Sequence, residues 1–135
     1  MVMKDRPPKL DADMVQEFVM NAHGNYESIQ TMLAETPALV NAVHDWGNGD
    51  FESAIGAAAH TGNREIALHL LANGARMDLF VAAMLGKLEV VQAIIEHFPN
   101  ARHSKGAHGI PLIKHAEFGG DDAKAVLNYL KSIDA

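Results

Sequence analysis

The chain contains no cysteine. That excludes disulfides, thiolate metal ligands and cysteine nucleophiles. It also fits a reducing compartment, so a cytoplasmic location is expected. Aromatic residues make up only 6%, with a single tryptophan. Alanine, leucine and methionine carry much of the apolar content, a balance that favours helix over strand. No apolar run approaches the roughly 18 residues of a membrane span. The first nine residues lack the apolar stretch of a secretory signal, so no membrane association is expected. Basic residues are missing over a long stretch. Residues 10–63 hold eight acids (Asp11, Asp13, Glu17, Glu27, Glu35, Asp45, Asp50 and Glu52) and no Lys or Arg. Residues 64–135 hold eight of each sign. Phosphate backbones are gripped by clustered Lys and Arg, so nucleic acid is excluded as a partner of the front half. The acidic surface serves solubility, or it steers a basic partner.

What is present is a repeated grammar. A short, small-residue helix runs to a glycine, and a polar residue then starts a second helix carrying apolar pairs four apart. The clearest copy has Ala58-Ala59, Gly62, and the pairs Ile66-Ala67 and Leu70-Leu71. The next has Ala82-Ala83, Gly86, and the pairs Val90-Val91 and Ile94-Ile95. Weaker copies surround Gly24 and Gly119. Glycines at 24, 62, 86 and 119 are expected to supply a left-handed position that ends each first helix. Asn25 and Asn63 stand where N-caps are useful. Pro37, Gly74 and Pro99 end the second helices. The connections differ: long over residues 40–51, almost deleted over 76–80, and ordinary over 100–110. A flexible arm is expected over residues 1–10, because Pro7 and Pro8 oppose a helix. A single domain follows over 11–135, divided at about 13–44, 45–78, 79–102 and 103–135.

Residues 58–78 resemble the ankyrin repeat nearly throughout, in its stretch Ala-Ala-x-x-Gly-x-x-Glu-Val-Val-x-x-Leu-Leu-x-x-Gly-Ala. Residues 82–95 match its first two-thirds, and the resemblance extends over roughly residues 13–131. The combination of residues 45–50, 82–86 and 108–112 is also similar to a group of small bacterial ankyrin-repeat proteins. The Thr-Pro-Leu-His start of the family's first helix is replaced here by Ser53-Ala54-Ile55-Gly56 and by Ile110-Pro111-Leu112-Ile113. The resemblance implies an all-α fold: an ankyrin-repeat stack of about four helix-turn-helix repeats with atypical terminal caps. In the last repeat Lys124, Asn128 and Lys131 would form the polar outer face. It also implies a protein- or peptide-binding module rather than an enzyme, with a monomer favoured.

The resemblance further implies that the two residues before each glycine are exposed on a concave face. Here these are Ala22-His23, His60-Thr61, Met84-Leu85 and Glu117-Phe118. An exposed apolar cluster at Met84, Leu85 and Phe118 would mark an interaction site. The alternative is that the shortened second connection tucks Met84 and Leu85 into the core. Trp46, in a glycine-rich acidic connection with Asp50, either anchors a partner or packs back on its own loop. The expected partner-binding set is Trp46, Asp50, His60, Thr61, Met84, Leu85, Glu117 and Phe118. It surrounds a notch between the Trp46 loop and residues 103–108, with Met84 and Leu85 as floor. Two alternatives stand beside this reading. One is a small-ligand or hydrolytic site formed by Trp46, Asp50, His60 and His108. The other is an immunity-type role in which the acidic front half masks a basic protein.

Catalytic templates are missing. There is no Gly-x-Ser-x-Gly elbow and no phosphate-cradling loop, and Gly47-x-Gly49 is too short for a nucleotide fingerprint. Eight histidines stand at 23, 44, 60, 69, 97, 103, 108 and 115. None forms a His-x-x-x-His or His-Glu-x-x-His pattern, so spacing alone points to no metal or other cofactor.

Overall fold

Asp11, Asn25, Ser53, Asn63 and Asp78 each open a helix by accepting a hydrogen bond from a backbone N–H three residues on. Each such cap is worth about 1 kcal/mol. These signals divide the chain of the computed structural model, which describes residues 6–134, into four pairs of α-helices. They are α1 (Ala12–Asn21) with α2 (Tyr26–Glu35), α3 (Ala54–His60) with α4 (Arg64–Ala72), α5 (Leu79–Leu85) with α6 (Leu88–His97), and α7 (Leu112–Phe118) with α8 (Lys124–Ile133). Short 3-10 turns at Pro37–Asn41 and Pro99–His103 begin at proline, whose fixed φ suits a first helical position. The expected arm lies partly outside the described residues; Arg6 to Leu10 are exposed and form no helix.

The first helices of the pairs lie side by side in chain order: α1 against α3, α3 against α5, α5 against α7. Alanine makes this row possible. Ala57, Ala58 and Ala59 of α3 and Ala82 and Ala83 of α5 are fully buried, and their short side chains let backbones approach. Ile66 and Leu70 of α4 and Val91 and Ile95 of α6 close the core from the second layer. At the far end α8 buries Val126 and Leu130 and turns Lys124, Asn128 and Lys131 outward.

The fold is not purely helical. Strands β1 (Val43–Asp45) and β2 (Phe51–Ser53) form an antiparallel hairpin in the long first connection, pairing Val43 with Ser53, His44 with Glu52 and Asp45 with Phe51. Its tip is tied locally: the Asp45 carboxylate accepts from the N–H groups of Gly47 (2.8 Å) and Gly49 (3.0 Å).

Two expectations need correction. The helix-ending glycines are not equivalent: Gly62 (φ 66°) and Gly86 (φ 78°) take the left-handed conformation. Gly24 does not, and in the last pair Gly120 (φ 63°) takes it while Gly119 stays at φ −71°. The second correction concerns Met84 and Leu85, which are buried at 1% and 3% exposure. Helix α5 is apolar at every position, and all of it but Phe80 is buried. A helix that is apolar all round belongs inside. Here α5 sits mid-row, contributing Val81, Met84 and Leu85 to one core cluster and Leu79, Ala82 and Ala83 to the other.

Candidate functional site

The expected notch has different walls and a different floor. The Trp46 loop and the third connection do face each other. His108 lies in the turn Ala107–Gly109 with a left-handed backbone (φ 60°), uncommon for a residue with a side chain. That conformation turns both its backbone N–H and its ring Nδ1 onto the Asp50 carboxylate, each at 2.7 Å. The floor is Glu52, not Met84 and Leu85.

Glu52 stands on β2, two residues after Asp50, and its side chain is wholly buried. Trp46 Nε1 donates to its Oε1 at 2.8 Å. His60 Nε2, at the end of α3, lies 2.6 Å from Oε2. Two further imidazoles close around it: His23 Nε2 at 3.3 Å and His108 Nε2 at 3.4 Å. The rings pack edge to face, with His23 and His60 centroids 5.0 Å apart and His60 and His108 5.3 Å apart. The ring nitrogens of His23, His60 and His108 and a Glu52 oxygen all lie within 4.8 Å of one another. Those four residues come from the turn after α1, the β1–β2 hairpin (the finger), the end of α3 and the third connection.

The set Trp46, Asp50, His60 and His108, expected from sequence as a small-ligand alternative, is therefore brought together. Glu52 and His23 complete it and had not been assigned to it. Of the partner-binding set, Thr61 is exposed, with its hydroxyl turned back onto the Ala57 carbonyl. Glu117 pairs with Lys114 at 3.0 Å, and Phe118 is 45% exposed at the end of α7. Ala22, expected on the concave face, is buried. A cavity of about 320 Å3 opens beside the cluster, lined in part by Asp50, Phe51, Glu52, Phe80 and Lys105. Its lining omits Trp46, His60 and His108, so it is no closed pocket around the four.

The electrostatics follow from these contacts. Burial alone pushes the Glu52 carboxyl up, but hydrogen bonds from His60 and Trp46 and the positive potential of His23 and His60 outweigh it. The net result lies below the ordinary carboxylate range. The His108 backbone N–H, then its ring, likewise hold the Asp50 carboxyl low. The hydrogen bond to Asp50 raises His108, against a smaller opposing effect of burial. His115 behaves oppositely: it is buried in α7, and burial lowers it despite its bond to the Pro111 carbonyl.

The signs set a pH window for the finger. Lowered carboxylates stabilise fully above their unfolded values of 3.8 and 4.5, and that stabilisation is lost as pH falls through the lower folded values. A raised imidazole stabilises fully below its unfolded value of 6.5, and that contribution is lost as pH rises through the higher folded value. The network therefore holds the finger most tightly between pH 4.5 and 6.5. Trp46 is its reporter. Its emission should titrate with one limb below this window and another above it, and His108→Ala should remove the alkaline limb while leaving the acid one. An alkaline limb that persists in His108→Ala would refute the assignment.

Comparison with family models and with curated proteins finds no match to the chain. Among the described residues no helix is long and apolar enough to cross a membrane.

Proposed function

We propose that this chain is a protein- or peptide-binding module of the ankyrin-repeat type, and that it engages a basic partner through its finger and acidic first helix pair. The row of alanine-lined helices and the projecting hairpin support the ankyrin-type reading. The observation that carries the binding reading is the finger itself. It is pinned at its base by the Glu52 network and displays Phe51 at 62% exposure. A surface held in place before binding loses little freedom when a partner arrives. Along the first helix pair and the hairpin, Asp11, Asp13, Glu17, Glu27, Glu35 and Asp45 are all exposed, on a stretch that contains no Lys or Arg. Long-range attraction for a basic partner follows from that balance. The immunity-type role is one form of this reading.

Selection from a library of random peptides tests it. The retained peptides should be basic, and their affinity should fall by about tenfold or more when salt rises severalfold, as screening shortens the reach of surface charge. Phe51→Ala should weaken binding by about tenfold, the scale of an aromatic anchor. Phe98→Ala removes a side chain 71% exposed at the end of α6 and should change nothing. Retention of acidic or uncharged peptides with no salt dependence would defeat the proposal.

A second reading is favoured by the convergence of Trp46, Asp50, His60 and His108: the notch holds a small ligand or supports hydrolysis. Its walls are hydrogen-bonded to each other and no closed pocket joins the four, and an open surface of that kind weighs toward the binding module.

A further inference from the structure

The ring nitrogens of the notch call for positive charge beside Glu52. His23 Nδ1 lies 3.0 Å from the carbonyl oxygens of both Val19 and Met20. A carbonyl only accepts, so this nitrogen carries the proton. His108 Nδ1 faces the Asp50 carboxylate at 2.7 Å, which likewise only accepts when ionised. A neutral imidazole has one N–H. Neutral His23 and His108 would therefore both point a bare Nε2 lone pair at Glu52, at 3.3 and 3.4 Å. Lone pairs do not face a buried carboxylate at that range without positive charge between them. The charge is either an extra proton on each ring or one shared metal ion.

We propose that His23, His60 and His108, through Nε2, and the Glu52 carboxylate bind a single divalent transition-metal ion of the zinc class. Three imidazoles and one carboxylate, with no sulfur and no further oxygen ligands required, suit zinc, cobalt or nickel better than calcium or magnesium. A tetrahedral centre with bonds of about 2.0–2.1 Å has donor–donor edges of about 3.3–3.4 Å. His23 Nε2 lies 3.3 Å from Glu52 Oε1 and His108 Nε2 3.4 Å from Oε2; with all four ligand atoms within 4.8 Å of one another, a small inward shift of the rings closes the set around one ion. His60, now hydrogen-bonded at 2.6 Å, takes its other tautomer and frees Nε2 for the ion.

The outer contacts are those a metal site uses. Asp50 holds His108 by Nδ1, the α1 carbonyls hold His23 by Nδ1, and Trp46 orients Glu52. The ion would join His23 and His108 to the neighbouring pair Glu52 and His60, three places far apart in the chain, fixing the finger to the helix row. This inference goes beyond the binding-module reading and does not depend on it.

The test uses the whole chain, stripped with chelator and titrated with Zn2+ or Co2+. One ion per chain should bind, raise the melting temperature and, for Co2+, give the visible bands of tetrahedral coordination. His23→Ala and His108→Ala should each weaken binding by at least about tenfold, and Asp50→Asn by about 10–100-fold through loss of the outer hydrogen bond. His97→Ala and His103→Ala, which remove exposed histidines elsewhere, should leave binding unchanged. Circular dichroism confirms that each variant is folded, and the wild-type titration stands even where one is not. If the wild type shows neither a thermal shift nor cobalt bands at tenfold excess of metal, or if the double variant His23→Ala, His108→Ala binds as tightly as the wild type, the proposal is overturned and the network is held by protons alone.

Discussion

Gly86→Ala should lower the stability of the chain by about 4 kcal/mol, and Gly24→Ala by well under 1, although the two glycines occupy matching places in the repeated pattern. Gly86 ends α5 in the left-handed conformation, which costs a residue with a Cβ about 1–2 kcal/mol. The larger effect is steric. A Cβ there overlaps the carbonyl oxygen of Asp122, in the 3-10 turn Gly120–Ala123 that packs onto the end of α5. The obstacle is backbone rather than a flexible side chain, so relief requires the whole turn to move. Arg64 lies across the same junction, donating to the Leu85 carbonyl at 3.2 Å and pairing with Asp122 at 3.7 Å, so that movement strips contacts from α4 as well. Gly24 has no atom within 4 Å of its notional Cβ and no positive φ. Thermal melts followed by circular dichroism should show Gly86→Ala lower by roughly 10–20 °C at this chain length. A difference of less than about 3 °C between the two variants would mean that the last turn is not packed as described.

The same comparison explains what the sequence disclosed. The helix pairs were legible because their signals are local: apolar pairs four apart, and Asn25 and Asn63 as caps, which accept from Ser28 and Ile66 as expected. Equivalence of the glycines was not local. Whether a glycine takes a positive φ, or meets a neighbouring backbone, depends on what the next pair places there. Met84 and Leu85 follow the alternative in which they are tucked into the core, and not the exposed face. The resemblance assigned them to an exposed face, whereas the uninterrupted apolar run Leu79–Leu85 itself pointed inside. In the notch, Trp46, Asp50, His60 and His108 could be named together because two unequal connections implied facing loops. Glu52 escaped because residues 45–51 read as a glycine-rich loop. Only in a strand do successive residues alternate between faces, which exposes Phe51 and turns Glu52 inward. His23, expected on the concave face, joins the notch only through Glu52, whose inward orientation depends on the strand.

Glu52→Ala should destabilise the protein by about 3 kcal/mol, a loss on the scale of breaking a buried charged network from one side. The side chain is fully buried and accepts from Trp46 at 2.8 Å and His60 at 2.6 Å, with His23 and His108 drawn toward it. Alanine leaves an indole N–H and an imidazole N–H without their acceptor. It also leaves rings that can carry positive charge facing one another without the anion between them. Glu52→Gln keeps a carbonyl for one donor but turns an amide toward the imidazoles, so its cost should fall between wild type and alanine. The local bonds at the hairpin tip, from Asp45 to Gly47 and Gly49, do not involve Glu52. The finger should therefore keep its turn but lose its attachment. Three readouts separate this outcome from general unfolding. Far-ultraviolet circular dichroism at room temperature should be unchanged, because no α-helix is capped by Glu52. Trp46 emission should move toward that of an exposed indole. The acid limb of the stability profile should shrink, because a carboxyl held below its usual value stabilises only while ionised and that contribution disappears with the group. If Glu52→Ala melts within about 1 kcal/mol of wild type with Trp46 emission unchanged, the finger is held by something other than this carboxylate, and the notch is no organising centre of the fold.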